Sequence, residues 1–269
     1  MEIIASTANK KIKLAASLKQ KKHRDTEGLF LAEGVRLIEA AAEAHWPAVY
    51  GLCTEQAMAQ ERVQAVLLQL AKQNCPVYQV PKAIYDKVSD TQEPQGILLV
   101  LKKAPASLTA LAPATKAPFI IVLDQLQDPG NVGTIIRTAD AAGCSGIILT
   151  KNCADMYAAK TVRAAMGSLF HLPVVADVSA PELLAFLDAQ GIELQVTALD
   201  ATAQAYFMAD FTRPTAIAFG NEGNGISPEL LAVASQRIFI PMAGQAESLN
   251  VATAAAVVIY EGLRQRSAR

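Results

Sequence analysis

"FIIVLDQLQDPGNVGTIIRTADAAGCSGIILT", residues 119–150, decides the fold. It opens on an almost unbroken apolar run, passes through a polar turn with two glycines into a helix over about 131–142, and closes on a second apolar run, "GIILT". Strand, helix and strand in that order form a crossover unit, and strands apolar on both faces belong to a parallel sheet covered by helices on each side. The alternation continues downstream. "LPVVAD" (172–177), "IELQVTALD" (192–200), "TAIAFG" (215–220) and "RIFIPM" (237–242) read as strands, with helical runs near 155–166, 180–190, 227–235 and 247–266.

Upstream the pattern changes. A short helix over 9–20, the strand "GLFLAEG" (28–34) and a second helix over 35–44 come first. Strands "VYGLCT" (49–54), "VYQV" (77–80) and "GILLVLKK" (96–103) follow, around a helical run at 55–73 and a short segment near 81–88. This is a small α/β unit ending near Leu101. "KKAPASLTALAPATKAP" (102–118), rich in Pro, Ala, Ser and Thr and without a period, reads as a linker. The expected division is 1–102, a linker over 103–118, and 119–269.

Composition bounds the function. A chain of 269 residues with 52% hydrophobic content has ample material for a core. No apolar run reaches the roughly 20 residues a bilayer span requires, and "MEIIASTANKKIK" lacks the apolar stretch of a secretory signal, so a cytoplasmic location is expected. Four scattered cysteines without a C-x-x-C, and only three histidines, point to no metal and to buried, inert thiols. The net charge of −1 conceals an asymmetry: Lys10, Lys11, Lys13, Lys19, Lys21, Lys22 and Arg24 stand against Glu2 alone in residues 1–24. Such a stretch is either a solvated helix face or a footprint for phosphates.

Ligands of open parallel sheets bind beyond the carboxyl ends of the strands, so three loops carry the functional reading. The first, 124–143, has Gly130 and Gly133 at a strand-to-helix turn, but "GNVGTI" lacks the G-x-G-x-x-G spacing that a nicotinamide-dependent oxidoreductase requires. It also holds Arg137 among apolar neighbours; an (i, i+3) pair with Asp140 is the plain structural alternative. In the second, "FGNEGNGIS" (219–227), Ser227 as N-cap with Pro228 at the first helical position would suffice for a turn. The additional glycines and Asn221 exceed that need and favour a site. The third, "IPMAGQAESLNVATAAA" (240–256), places Ser248 and Asn250 where one helix cap would serve. The run behind them, "VATAAAVVIY", is apolar all round and implies burial on both sides, within the domain or against a second subunit.

With the three loops in this order, the sequence resembles the SpoU (TrmH) family of RNA ribose 2′-O-methyltransferases, of the SPOUT class. "DPGNVGTIIRTADAAG", "FGNEGNGIS" and "IPMAGQAESLNVATAAAVVIYE" are similar to the family's three motifs, and "TVRAAMGSLFHLPV" (161–174) to its intervening segment. "KKHRDTEGLFLAEGVRLIEAA" (21–41) resembles an accessory domain related in fold to small ribosomal RNA-binding proteins. The resemblance implies an α/β fold: a small RNA-binding domain before a parallel-sheet SPOUT domain with a C-terminal trefoil knot, which ordinary topology rules would not predict. It implies S-adenosylmethionine as cofactor, a homodimer, and methylation of a ribose 2′-hydroxyl, in 23S ribosomal RNA before transfer RNA. Carried onto this chain, the catalytic set is Asn131, Arg137, Glu222, Ser248 and Asn250. Cofactor contacts fall on Ala198, Leu199, Gly220, Ile240, Met242 and Leu249. RNA contacts are Lys10, Lys11, Lys13, Lys21, Lys22, Arg24 and Arg163. A non-catalytic RNA-binding protein would keep the basic segment but need none of the three loops.

Overall fold

The computed structural model describes residues 1–104, 106–111 and 117–267; positions 105 and 112–116 of the expected linker lie outside the described residues. In chain order the elements are α1 (Lys10–Ser17), α2 (Lys21–Glu27), β1 (Leu29–Glu33), α3 (Val35–Glu43), β2 (Ala48–Cys53), α4 (Glu55–Met58), α5 (Glu61–Lys72), β3 (Val77–Gln79), α6 (Lys82–Val88) and β4 (Ile97–Lys102). Then come β5 (Phe119–Asp124), α7 (Pro129–Ala141), β6 (Gly146–Thr150), α8 (Ala159–Ala165), β7 (Val174–Val178), α9 (Ala180–Ala189) and β8 (Glu193–Thr197). The last are β9 (Gln204–Ala205), β10 (Thr215–Gly220), α10 (Pro228–Val233), β11 (Gln236–Phe239) and α11 (Val251–Ser267). Two compact units result, one of residues 1–104 with 157–170, the other of 105–156 with 171–269.

The first unit carries a four-stranded sheet in the order β1-β4-β2-β3, antiparallel except for β2 and β3. Its unexpected element is α2. "KKHRDTE" has no apolar period, so hydrophobic patterning gives no sign of a helix. Arg24 accounts for it: the side chain is buried, and Nη1 donates to the carbonyls of Leu18 (2.8 Å) and Lys19 (2.9 Å), satisfying acceptors left open where α1 ends. Arg24 is therefore withdrawn from the RNA-contacting residues, because its guanidinium is spent inside the protein. Residues 157–170, distant in sequence, also belong to this unit. Tyr157 packs on Phe30 with ring centroids 4.7 Å apart, and Phe170 on Trp46 at 5.1 Å.

The second unit is a seven-stranded sheet in the order β7-β6-β5-β10-β8-β11-β9, with every pair parallel. Ile120, Val122, Ala216, Ala218, Leu194 and Val196 face Leu183 and Leu187 of α9 and Leu230 of α10. On the other side α11 comes close enough to β5 that a Cβ on Gly262 would meet the Phe119 ring at 2.5 Å. Helices on both faces explain why the strands read as continuous apolar runs. α7 begins at Pro129, with the Asp128 side chain accepting from the Asn131 N–H at 2.8 Å, so Gly130 and Gly133 lie inside the helix. α11 begins at Val251, four residues later than the pattern implied.

Candidate active site

Beyond the carboxyl ends of β10, β8 and β11 the second unit holds a cavity of about 690 Å³, within the size range of small-molecule sites. Its walls come from 197–200, 219–222, 224–226, 238–240, Met242 and 247–251, with Leu231, Ala254 and Val258. Ala198, Leu199, Gly220, Ile240, Met242 and Leu249 all line it, as do Glu222, Ser248 and Asn250. Asn131 and Arg137 do not line it, but Asn131 is joined to the wall by hydrogen bonds: its Nδ2 donates to Glu222 Oε1 at 2.6 Å, and Asn250 Nδ2 donates to its Oδ1 at 3.1 Å.

Asn250 has a second task. Its Oδ1 accepts from the backbone N–H groups of Ala252 (2.9 Å) and Thr253 (3.3 Å), capping α11. Ser248 is exposed and makes no hydrogen bond among the described residues, leaving its hydroxyl open at the cavity rim. Arg137 is exposed on α7 and likewise forms neither an ion pair nor a hydrogen bond among the described residues. The expected alternative partner, Asp140, lies 3.6 Å from His171 instead.

The loop after β10 shows how its unusual residues are used. Asn221 and Gly225 bond through both backbone pairs, at 3.0 and 2.9 Å. The Asn221 side chain accepts from the N–H groups of Gly223 and Asn224 and donates to the Gln125 carbonyl at 3.0 Å. A Cβ on Gly220 would stand 2.3 Å from the Gly225 carbonyl carbon. Gly220 and Asn221 thus have the structural purpose that sequence reasoning denied them, building a turn that closes on itself. Ser227 precedes α10 as expected, but its side chain makes no capping bond; its N–H instead donates to Asp124 Oδ2 at 2.7 Å.

Sequence reasoning missed the supports. Asp124 is buried and also accepts from Thr150 Oγ1 at 3.0 Å, while Thr150 Oγ1 accepts from the Gln125 N–H at 3.0 Å. Gln125 is thereby held in the left-handed region (φ 57°), an uncommon state outside glycine that turns the chain toward α7. A carboxylate ending one parallel strand beside a threonine ending the next was the available signal. Asp200 was also missed: Thr202 and Arg237 donate to it and hold its carboxyl at about 2. The cavity-lining residues include three carboxyl side chains, Asp200, Glu222 and Glu247, and no Lys or Arg, with Asp200 already paired to Arg237 at 2.8 Å.

In the first unit Lys10, Lys13, Lys21 and Lys22 are exposed, and Lys11 lies 4.7 Å over the Tyr78 ring. Arg163, on α8, faces Asp90 at 3.7 Å. Burial pushes the thiols of Cys53 and Cys144 up to about 12, and those of Cys75 and Cys153 to about 11. Among the described residues no cluster of His, Cys, Asp or Glu is arranged to hold a metal, and no helix is long and apolar enough to cross a membrane.

Comparison with known proteins adds the following. A model described as the SpoU rRNA Methylase family matches residues 118–260, and one described as the MRM3-like substrate binding domain matches residues 9–99. A 23S rRNA (guanosine(2553)-2′-O)-methyltransferase of Bacillus subtilis is 36% identical across 97% of this chain and 98% of its own. A 23S rRNA (uridine(2479)-2′-O)-methyltransferase of Streptomyces viridochromogenes is 32% identical across 93% and 88%. The solved AdoMet-bound rRNA methyltransferase from Sinorhizobium meliloti matches with a TM-score of 0.88 at 32% identity, over 98% of this chain and 97% of that one.

Proposed function

The chain belongs to the SpoU rRNA methylase family and is by that membership an RNA ribose 2′-O-methyltransferase; from this premise we propose that it uses S-adenosylmethionine to methylate a 2′-hydroxyl of 23S ribosomal RNA. The observation that carries the reading is the cavity, where all six residues expected to touch the cofactor meet Glu222, Ser248 and Asn250. The Glu222 and Glu247 side chains on a wall without Lys or Arg fit a sulfonium, and the apolar side chains of Leu231, Ile240 and Leu249 fit an adenine face. Two relatives named for 23S rRNA, one for a guanosine and one for a uridine, support the target RNA and leave the nucleotide to be found. Comparing 2′-O-methyl positions in total RNA from cells with and without the gene tests this. Loss of one 23S site is expected; loss from a transfer RNA alone would overturn the target.

Once bound, the cofactor supplies an already activated methyl group, so the chain has to align the ribose and assist loss of the hydroxyl proton. Ala198, Leu199, Gly220, Ile240, Met242 and Leu249 would hold the cofactor, whose sulfonium would supply the methyl group to the 2′-oxygen, and the phosphate clamped beside the ribose would be the nearest group to receive the hydroxyl proton. Arg137 is permanently charged and cannot serve as the base. Its unpaired guanidinium stabilises the developing alkoxide and clamps that phosphate. Ser248 orients the ribose with its open hydroxyl, and proximity supplies a large part of the acceleration.

RNA is drawn to the first unit by Lys10, Lys11, Lys13, Lys21 and Lys22, with Arg163 contributing a further phosphate contact. Neutralising the five lysines together should weaken RNA binding and reduce the salt slope by up to about 3 to 4, on the single-strand scale of roughly 0.7 per phosphate contact. An unchanged slope in binding measured across salt would return them to a solvated face. The trefoil knot belongs to the same proposal. A homodimer is supported by α11, where Val257 is half-buried and Tyr260 is 48% exposed in the single chain. Sedimentation equilibrium tests it, and a strict monomer would overturn it.

A further inference from the structure

The hydrogen bonds linking the three loops have a direction that their chemistry forces. Backbone N–H groups only donate, so the atom of the Asn250 amide facing Ala252 and Thr253 must be its oxygen. Its nitrogen therefore faces Asn131 and donates, which makes the facing atom of Asn131 an oxygen. The amide nitrogen of Asn131 is then left toward Glu222, and the chain can end only on an acceptor. The Asn131 backbone is itself fixed, since its N–H is held by the Asp128 cap of α7. A polarity set at the first turn of α11 is thus transmitted across α7 to the loop after β10.

We propose that Asn131 and Glu222 are positioning residues forming a one-way relay with Asn250, in which the Glu222 carboxylate serves as the terminal acceptor and acts on the geometry of the rim rather than on the reacting atoms. This deepens the methyltransferase reading and rests on it for the word catalysis alone; the relay itself requires neither cofactor nor RNA. Three variants separate the roles. Glu222→Gln can still present an oxygen to Asn131 and preserves the direction, whereas Glu222→Ala removes the acceptor. Asn131→Asp still accepts from Asn250 but turns a second acceptor toward Glu222, so the two oxygens share a proton at low pH and repel at high pH. Asn131→Asp with Glu222→Gln restores complementarity, because the glutamine nitrogen can donate to the new carboxylate. The other charged groups on these elements are Asp128 at the start of α7, Arg137 and Asp140 further along it, Glu247 ahead of α11, and Glu261, Arg264 and Arg266 in the C-terminal part of α11; all are unchanged across the series.

Two readouts decide it. The first is the melting temperature of the unliganded protein across about pH 5 to 8. Asn131→Asp should lose stability relative to wild type as pH rises, since the shared proton stabilises the folded pair only while it is retained, and the double variant should follow the wild-type profile. The second is methyl transfer at saturating substrates. Glu222→Gln should turn over at least several-fold faster than Glu222→Ala, and the double variant several-fold faster than Asn131→Asp, with Glu222→Ala and Asn131→Asp losing about tenfold or more relative to wild type, the scale of a broken charge-assisted hydrogen bond. Glu222→Gln as damaging as Glu222→Ala would overturn the relay, and so would a double variant no better than Asn131→Asp in melting or in rate. A melting pattern as expected in a protein that transfers no methyl group would uphold the relay and overturn the proposed function alone.

Discussion

At the N-terminal end of α11, Asn250 divides its amide between the helix cap and Asn131, and Ser248 keeps its hydroxyl unpaired at the cavity rim. At the C-terminal end, Gln265 accepts from the Phe211 N–H and donates to the Ala209 carbonyl, and Arg266 donates to the carbonyls of Ala117 and Arg213 at 2.6 and 2.7 Å. One helix therefore presents polar groups to the cavity rim at one end and uses them to bind its own chain at the other. The difference teaches that a polar side chain is informative about function through its partners rather than its type. The arginines repeat the lesson: Arg24 and Arg266 are held by carbonyls, and Arg137 reaches into solvent.

The largest effect expected from breaking this contrast is at Arg137. Arg137→Ala should lower the turnover of methyl transfer on the order of 10² to 10³, the scale of removing one donor to a developing anion. Cofactor affinity, measured by calorimetry, should stay nearly constant because the side chain does not line the cavity. Weak cofactor binding with normal turnover at saturation would place Arg137 with the structural arginines. Asn250→Ala comes next. It removes the cap, at about 1 kcal/mol, and also a member of the relay, so transfer should fall by roughly 10-fold or more while the melting temperature moves by only a few degrees. A stability loss with unaltered turnover would make the two ends of α11 alike.

How much of this was legible in the sequence follows from the same contrast. The parallel sheet was readable because its strands are apolar on both faces, as "FIIVLD" is, and the three loops because their polar residues exceed what turns and caps need. α2 was not readable: its helix depends on a buried arginine satisfying carbonyls of the preceding helix, a tertiary bond without a local pattern. The residues at the cavity could be anticipated, but their division of labour could not. Asn221 looked surplus to its turn and builds it; Asn250 looked like a surplus cap and bonds both the start of α11 and Asn131. Periodicity reports which face is buried, whereas the choice of hydrogen-bond partner is made only once distant segments meet.

Ser248→Ala tests the ligand-facing end alone. With no partner to lose, the variant should match wild-type stability within about 0.5 kcal/mol. Transfer should nonetheless fall several-fold, with the change in the apparent affinity for RNA or in turnover but not in the melting curve. A clear drop in melting temperature would show that the hydroxyl is committed to the fold, as at the opposite end.

Arg266→Ala is expected to change transfer least and stability most. The guanidinium is partly buried, stands 4.6 Å over the Phe119 ring and bonds main-chain carbonyls on two separate segments. Burial lowers its pKa from the ordinary arginine value, a sign that the charge is held at some desolvation cost that these acceptors offset. Removing it leaves those carbonyls without their donor, and the loss should be on the order of 2 to 4 kcal/mol, read as a lower midpoint in urea with an unchanged slope. Well below the new melting temperature, turnover should remain within about twofold of wild type. The physical reason is the length of α11: 17 residues at about 1.5 Å each put roughly 25 Å between this clamp and the cavity rim. Should turnover instead fall together with stability, the C-terminal clamp would have to set the position of Asn250 through the whole helix, and the two ends would be one device.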